Sequence, residues 1–163
     1  MHLFDQLKPL HDLGRRQREL IEYAALLHDI GFHIGRDKHH KHAMYLILHG
    51  DLKEFTREEV QIIANIARYH RKSFPSKKHR AFADLSDSGQ ETVRVGAALL
   101  RIADGLDRSN CAAVSSIRCR IRKKRVDLII DGRGDTELEL WSARSRSELF
   151  TDIFKRELEF VRR

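Results

Sequence analysis

A chain of 163 residues has room for one hydrophobic core, or for a core and a small appendage. Hydrophobic residues at 41% and charged residues at 34% argue against disorder. No apolar run approaches the roughly 20 residues that cross a bilayer, so no membrane is expected. A formal charge of +7 favours anionic partners, while aromatics at 7%, not interleaved with the basic clusters, argue against base-stacking platforms and sequence-specific nucleic-acid reading.

In chain order, Leu3, Phe4, Leu7 and Leu10 form a short helical stripe, and Leu20, Tyr23, Ala24, Leu27 and His28 a second one over 15–29. Gly31 and Gly35 mark a break, and a helix resumes over 39–48. Thr56 with Glu59 reads as a capping box opening a helix through Val60, Ile63, Ala64 and Ala67 that delivers His70 at its end. After a polar connection over 73–87, Ser88 with Glu91 reads as a second box, opening a long apolar helix that reaches Asp104. Beyond residue 110 the pattern changes. Residues 117–121, 126–130 and 137–141 read as strands, with a hairpin turn at Gly132–Gly134 before the last. Ser145 with Glu148 reads as a third box, opening a final helix through Leu149, Ile153, Phe154 and Leu158. The expected fold is mainly α: a helical domain over 1–110, then a small antiparallel β-sheet and a C-terminal helix over 111–163.

His28-Asp29 ends a buried-looking stripe, and burying an unpaired carboxylate costs several kcal/mol. A compensating partner is therefore expected, either a metal or a helix-end hydrogen bond. His39, His40 and His42 follow the glycine loop, His70 ends another helix and Asp104 a fourth. Imidazoles and carboxylates gathered at helix ends are what a metal site inside a helical bundle needs. Cys111 and Cys119 form no CxxC pair and read as packing residues, and a reducing cytoplasm is the expected location. The first residues lack the layout of a secretory signal. Tyr23, Tyr69 and Trp141 are expected in the core or at a domain interface.

Ala24-Ala25-Leu26-Leu27-His28-Asp29-Ile30-Gly31 resembles the motif that names the HD superfamily of metal-dependent phosphohydrolases. His39-His40-Lys41-His42, Ile66-Ala67-Arg68-Tyr69-His70-Arg71-Lys72 and Leu99-Leu100-Arg101-Ile102-Ala103-Asp104-Gly105-Leu106-Asp107-Arg108-Ser109 resemble the C-terminal HD-like region of the exopolyphosphatase / guanosine pentaphosphate phosphatase (Ppx/GppA) family. The resemblance implies an HD-like bundle with His28, Asp29 and Asp104 as metal ligands. It makes His39 and His70 ligands of a second metal, with His42 as a further candidate. The metal would be Mn, Mg, Fe or Zn. Lys41, Arg68, Arg71 and Lys72 would neutralise the phosphates of polyphosphate or a nucleotide. The upstream histidine of HD proteins has no clear match in His2 or His11, which implies a partial, weakly binding site. Nothing resembles the actin-like domains that carry the family's polyphosphate-hydrolysing site, so no catalytic residue is assigned. Those domains, or a second copy of the chain, are the implied protein partners. The alternative is a stand-alone HD phosphohydrolase acting on a nucleotide or phosphorylated small molecule.

Overall fold

The structure is a computed structural model that describes residues 1–163. Its elements are α1 (His2–Gln6), α2 (Lys8–His11), α3 (Arg15–Leu27), a 3-10 turn (Ile30–His33), α4 (His39–His49), α5 (Arg57–Tyr69), α6 (Arg80–Ala83), α7 (Asp87–Leu106), β1 (Val114–Ile121), β2 (Arg125–Gly132), α8 (Glu137–Arg144), α9 (Glu148–Phe154) and β3 (Glu157–Arg162). The protein is mainly α-helical with one small sheet. No helix is long and apolar enough to cross a membrane. The chain divides into two compact units, Leu13–Ala97 on the one hand, and Met1–Asp12 with Ala98–Arg163 on the other. The line drawn near residue 110 from sequence pattern falls inside the second of these.

The unit over 13–97 is helical. α5 packs against both α3 and α4, and Ile21, Ala24, Ile47, Ile63 and Ile66 are buried among them. The predicted box at the start of α5 is present. Thr56 Oγ1 accepts from the Glu59 N–H at 3.3 Å, and Glu59 Oε2 accepts from the Thr56 N–H at 2.8 Å. Arg16 grips the same carboxylate with two donors, at 2.6 and 2.9 Å, which holds Glu59 down to about 2, well below the usual carboxylate range. Thr56→Ala removes the hydroxyl acceptor and is expected to cost about 1 kcal/mol, read as a lowered urea midpoint with an unchanged slope.

The Ser88–Glu91 box is replaced by another arrangement. α7 begins at Asp87, and Ser86 Oγ accepts the Gly89 N–H at 3.1 Å. The carboxylate that closes this cap comes from a different helix, since Glu58 Oε1 accepts the Ser86 N–H at 2.9 Å.

The other unit carries a three-stranded sheet in the order β1-β2-β3. β1 and β2 are antiparallel and β2 and β3 parallel, so the sheet is mixed, not antiparallel throughout. β2 is central. Val126, Leu128 and Ile130 alternate into the core with Leu149 and Phe150, while Asp127 on the opposite face takes Arg122 and Arg125 at 2.7 and 2.9 Å.

Three further expectations are corrected here. Residues 137–141 are helix α8, not strand, because Leu and Glu are strong helix formers and the buried set Glu139, Leu140, Ser142 and Ala143 follows a helical period. The β-hairpin turn lies between Ile121 and Arg125, closed by the Arg122 N–H to the Arg125 carbonyl at 2.8 Å, and Gly132–Gly134 leads into α8. The last helix is α9, which starts without a Ser145–Glu148 box and ends where Lys155 turns left-handed (φ 50°). Leu158 therefore sits in β3, and the final element is a strand.

Candidate metal centre

α3 stops at Leu27, leaving His28 at its C-terminal end and Asp29 in the turn that follows. The 3-10 turn then presses against the start of α4 at Gly31. A Cβ at that position would lie 1.9 Å from the His39 carbonyl oxygen and 2.5 Å from the Ala43 nitrogen, so only glycine permits the approach. On α4 the buried face runs through His39, His40, Ala43, Met44 and Ile47, which carries His39 inward. α5 ends at Tyr69 and delivers His70, which is 1% exposed.

Three imidazoles use one local device. Nδ1 lies within hydrogen-bond distance of the carbonyl three residues back: His28 with Ala25 at 2.7 Å, His39 with Arg36 at 3.2 Å and His70 with Ala67 at 2.6 Å. A carbonyl only accepts, so each contact places the proton on Nδ1, and in His39 and His70 the Nε2 lone pair is the one turned toward the centre. Those lone pairs converge. His39 Nε2 and His70 Nε2 are 3.3 Å apart, and Asp29 Oδ1 lies 3.4 Å from the first and 3.9 Å from the second. Potential ligand atoms of Asp29, His39 and His70 all fall within 4.8 Å of one another. His28 Nε2 approaches the other oxygen, Asp29 Oδ2, at 3.4 Å.

Two facing lone pairs at such a distance repel unless a proton or a cation lies between them. Two nitrogens bound tetrahedrally to one Zn stand about 3.3 Å apart, given Zn–N bonds of about 2.05 Å. The donor set, two imidazoles and a carboxylate, therefore fits a divalent transition metal with positions left open. Burial drives His70 down to about 3, with the cationic surroundings of Arg71 adding to the shift, and lowers His39 from its ordinary value as well. Both rings are neutral at physiological pH, the state a metal requires.

The other residues anticipated from sequence are distributed around or away from this group. His42 lies on α4 outside the converging trio, off the buried face that carries His39. Arg71 Nη1 stands 3.2–3.4 Å from both nitrogens of His39. Arg68 lies over the Tyr69 ring at 5.5 Å and donates to Met44 Sδ at 3.7 Å. Lys41 is exposed, and Lys72, three residues past the end of α5, is left-handed (φ 60°). Asp104 belongs to the other unit, near the end of α7, where its carboxylate is paired with Arg146. His11, at the end of α2, packs at a tilt against the Phe4 ring and contacts the Phe4 carbonyl at 3.0 Å. Tyr69 is fully buried, whereas Tyr23 and Trp141 are exposed, and Cys111 is exposed where packing was expected.

Two residues beside the centre had no assigned role in the sequence, His40, named there only within its histidine cluster, and Phe32. His40 is buried with its Nδ1 lacking a hydrogen-bond partner, and burial amid Arg71, Lys41 and Arg68 pushes it down to about 4. Phe32, in the 3-10 turn, stacks on His39 with ring centroids 4.0 Å apart. The adjacency of His40 to His39 was visible in the sequence. Nothing in the pattern pointed to Phe32.

Residues 1–141 match the family model described as Ppx/GppA phosphatase, domain III. The chain belongs to this family. It is 35% identical over 104 residues to a guanosine-5'-triphosphate,3'-diphosphate pyrophosphatase of Aeromonas hydrophila, an alignment covering 61% of this chain and 20% of that protein. It is 30% identical over 129 residues to the enzyme of the same name from Vibrio cholerae, covering 74% of this chain and 25% of the relative. The chain thus spans between a fifth and a quarter of the length of these curated relatives.

Proposed function

We propose that this chain is the HD-like C-terminal region of a Ppx/GppA-type protein, holding a divalent metal beside a basic surface for phosphate-rich anions such as polyphosphate or guanosine nucleotides. The observation that carries the reading is the convergence of two Nε2 lone pairs and one carboxylate oxygen at 3.3–3.9 Å, each imidazole oriented by its own backbone contact.

Asp29, His39 and His70 would hold the metal, with His28, whose Nε2 lies 3.4 Å from Asp29 Oδ2, as a further ligand. His42 stays in this reading as a further ligand by resemblance alone, whereas Asp104 belongs to the other unit, where it pairs with Arg146. When bound, a divalent cation supplies a Lewis acid that grips a phosphate oxygen. The chain's own contribution is positional. Arg71, once it releases His39, offers a fork of donors to an adjacent phosphate, and Lys41, Arg68 and Lys72 add positive charge around it. Actin-like phosphatase domains, to which this region would be attached or docked, are part of the same proposal.

The exposure of Asp29, with 47% of its side chain open, favours a second reading. A reachable carboxylate leaves room for substrate at the metal, which is the requirement of a stand-alone metal-dependent phosphohydrolase.

Titration of the purified protein with Mn or Zn by calorimetry tests the proposal. At least one metal per chain is expected, with affinity at least about 100-fold weaker in Asp29→Ala and His70→Gln than in the native chain, on the scale of losing a direct ligand. Circular dichroism of both variants separates ligand loss from unfolding. Absence of metal binding by the native chain rules out both readings. Metal binding with no release of phosphate from nucleotides or polyphosphate rules out the second alone.

A further inference from the structure

Phe32, His39 and His70 form a stack of three rings running from the surface inward. Their centroids are 4.0 and 5.3 Å apart and adjacent planes meet at 26° and 28°. The inner two rings are buried at 4% and 1% exposure, while Phe32 is 46% exposed. One face of Phe32 lies on His39, and nearly half of the residue is open to solvent. The ring is also fixed in place, because the Phe32 N–H donates to the Asp29 carbonyl at 3.0 Å and the 3-10 turn is locked on α4 at Gly31. A flat, half-exposed aromatic ring therefore sits one turn from a half-exposed carboxylate and directly on an imidazole of the candidate centre, with Arg71 Nη1 3.2 Å from Nδ1 of that imidazole.

We infer that Phe32 is a stacking platform for a nucleobase, so that the centre takes nucleotides in preference to bare polyphosphate. The inference rests on the metal-site reading above and names its substrate class. Scattered apolar residues on a surface need no explanation. This one differs in being stacked on two buried imidazoles of the candidate centre. Its neighbours Ile30 and Ile34, 41% and 50% exposed, give the platform an apolar rim suited to a heterocycle, while the phosphates of the same ligand face Arg71 and the Asp29 group. Base–aromatic stacking tolerates any base and rewards the larger purines, so discrimination is expected between nucleotide and inorganic phosphate chains more than among nucleotides.

The test compares GTP, ATP and inorganic tripolyphosphate on the metal-loaded native chain and on Phe32→Ala and Phe32→Trp, with metal affinity measured in parallel. The native protein is expected to bind both nucleotides roughly ten-fold more tightly than tripolyphosphate, an advantage that Phe32→Ala abolishes and Phe32→Trp keeps. In Phe32→Trp the nucleotides quench the new indole's fluorescence and tripolyphosphate does not. Equal binding of all three ligands by the native chain, or a nucleotide preference undiminished in Phe32→Ala, overturns the platform. Failure to bind metal overturns the underlying reading instead, and a Phe32-dependent nucleotide preference in that case leaves the platform standing alone.

Discussion

Gly31→Ala is expected to abolish metal binding and to lower the unfolding free energy by about 3 kcal/mol, the upper end of the overpacking range. The added methyl would lie 1.9 Å from the His39 carbonyl oxygen, 2.5 Å from the Ala43 nitrogen and 2.8 Å from the His39 carbonyl carbon. All three are backbone atoms in the first turns of α4, so no side-chain rotation relieves the clash. The 3-10 turn and α4 must separate, and Asp29 and His39 sit on opposite sides of that seam. Their 3.4 Å approach is lost with it. Gly35→Ala is the matched control, since a Cβ there meets nothing within 4 Å. It should leave both the urea midpoint and the metal isotherm of the native chain unchanged. A Gly31→Ala protein that binds metal with native affinity would show that the seam is soft and that the trio does not depend on it.

Acid should weaken the protein well before its carboxylates titrate. His70 has a folded value of about 3 against 6.5 in the unfolded chain. Between those limits the unfolded state binds the extra proton, so stability rises with pH through this window and is lost as pH falls through it. The contribution is complete above pH 6.5. Each pH unit below that removes up to about 1.4 kcal/mol, on the order of 4 kcal/mol by pH 3. His39 and His40, both lowered by burial, act in the same direction. Glu59, held at about 2 by Arg16, also loses stability on acidification, but only below its unfolded value of 4.5. The slope between pH 6.5 and 5 therefore isolates the histidines. Urea midpoints measured across pH 8 to 4 are expected to fall from pH 6.5 downward in the native chain and to fall less in His70→Gln. A flat profile down to pH 5 would contradict the burial of these rings.

Most helices before residue 110 were legible because they advertise themselves locally; α6 was not, since it lies in the stretch over 73–87 read as a polar connection. The Thr56–Glu59 box and the apolar stripes over 15–27 and 57–69 act within one turn of chain. The cap of α7 was misplaced because half of it comes from Glu58, nearly thirty residues upstream. The same holds for α8. The alternation of Glu137 to Trp141 suits a strand, but β2 already has β1 and β3 as neighbours, and the Glu139 carboxylate is engaged by the Ser109 N–H. Tertiary pairing overrode a short-range pattern. At the candidate centre, Asp29, His39 and His70 were named from residue type, helix ends and resemblance. The close approach at Gly31 and the stack through Phe32 depend on how two segments meet, which spacing along the chain does not encode.

Gln6 makes one more contact whose importance lies in what it prevents. β1 is an edge strand, and the backbone groups of Ile117 and Cys119 face away from β2. The Gln6 side-chain amide spans both, donating to the Ile117 carbonyl at 3.0 Å and accepting from the Cys119 N–H at 2.7 Å. A single side chain thus imitates the rung a neighbouring strand would supply. An uncovered edge is a template on which another molecule's strand can add, the first step of sheet-to-sheet aggregation. With that rung filled and Arg118 and Arg120 projecting from the same strand, β1 offers a poor seed for such growth. The colloidal behaviour of the protein at high concentration is in this sense written in a residue at the far end of the chain from the strand it guards.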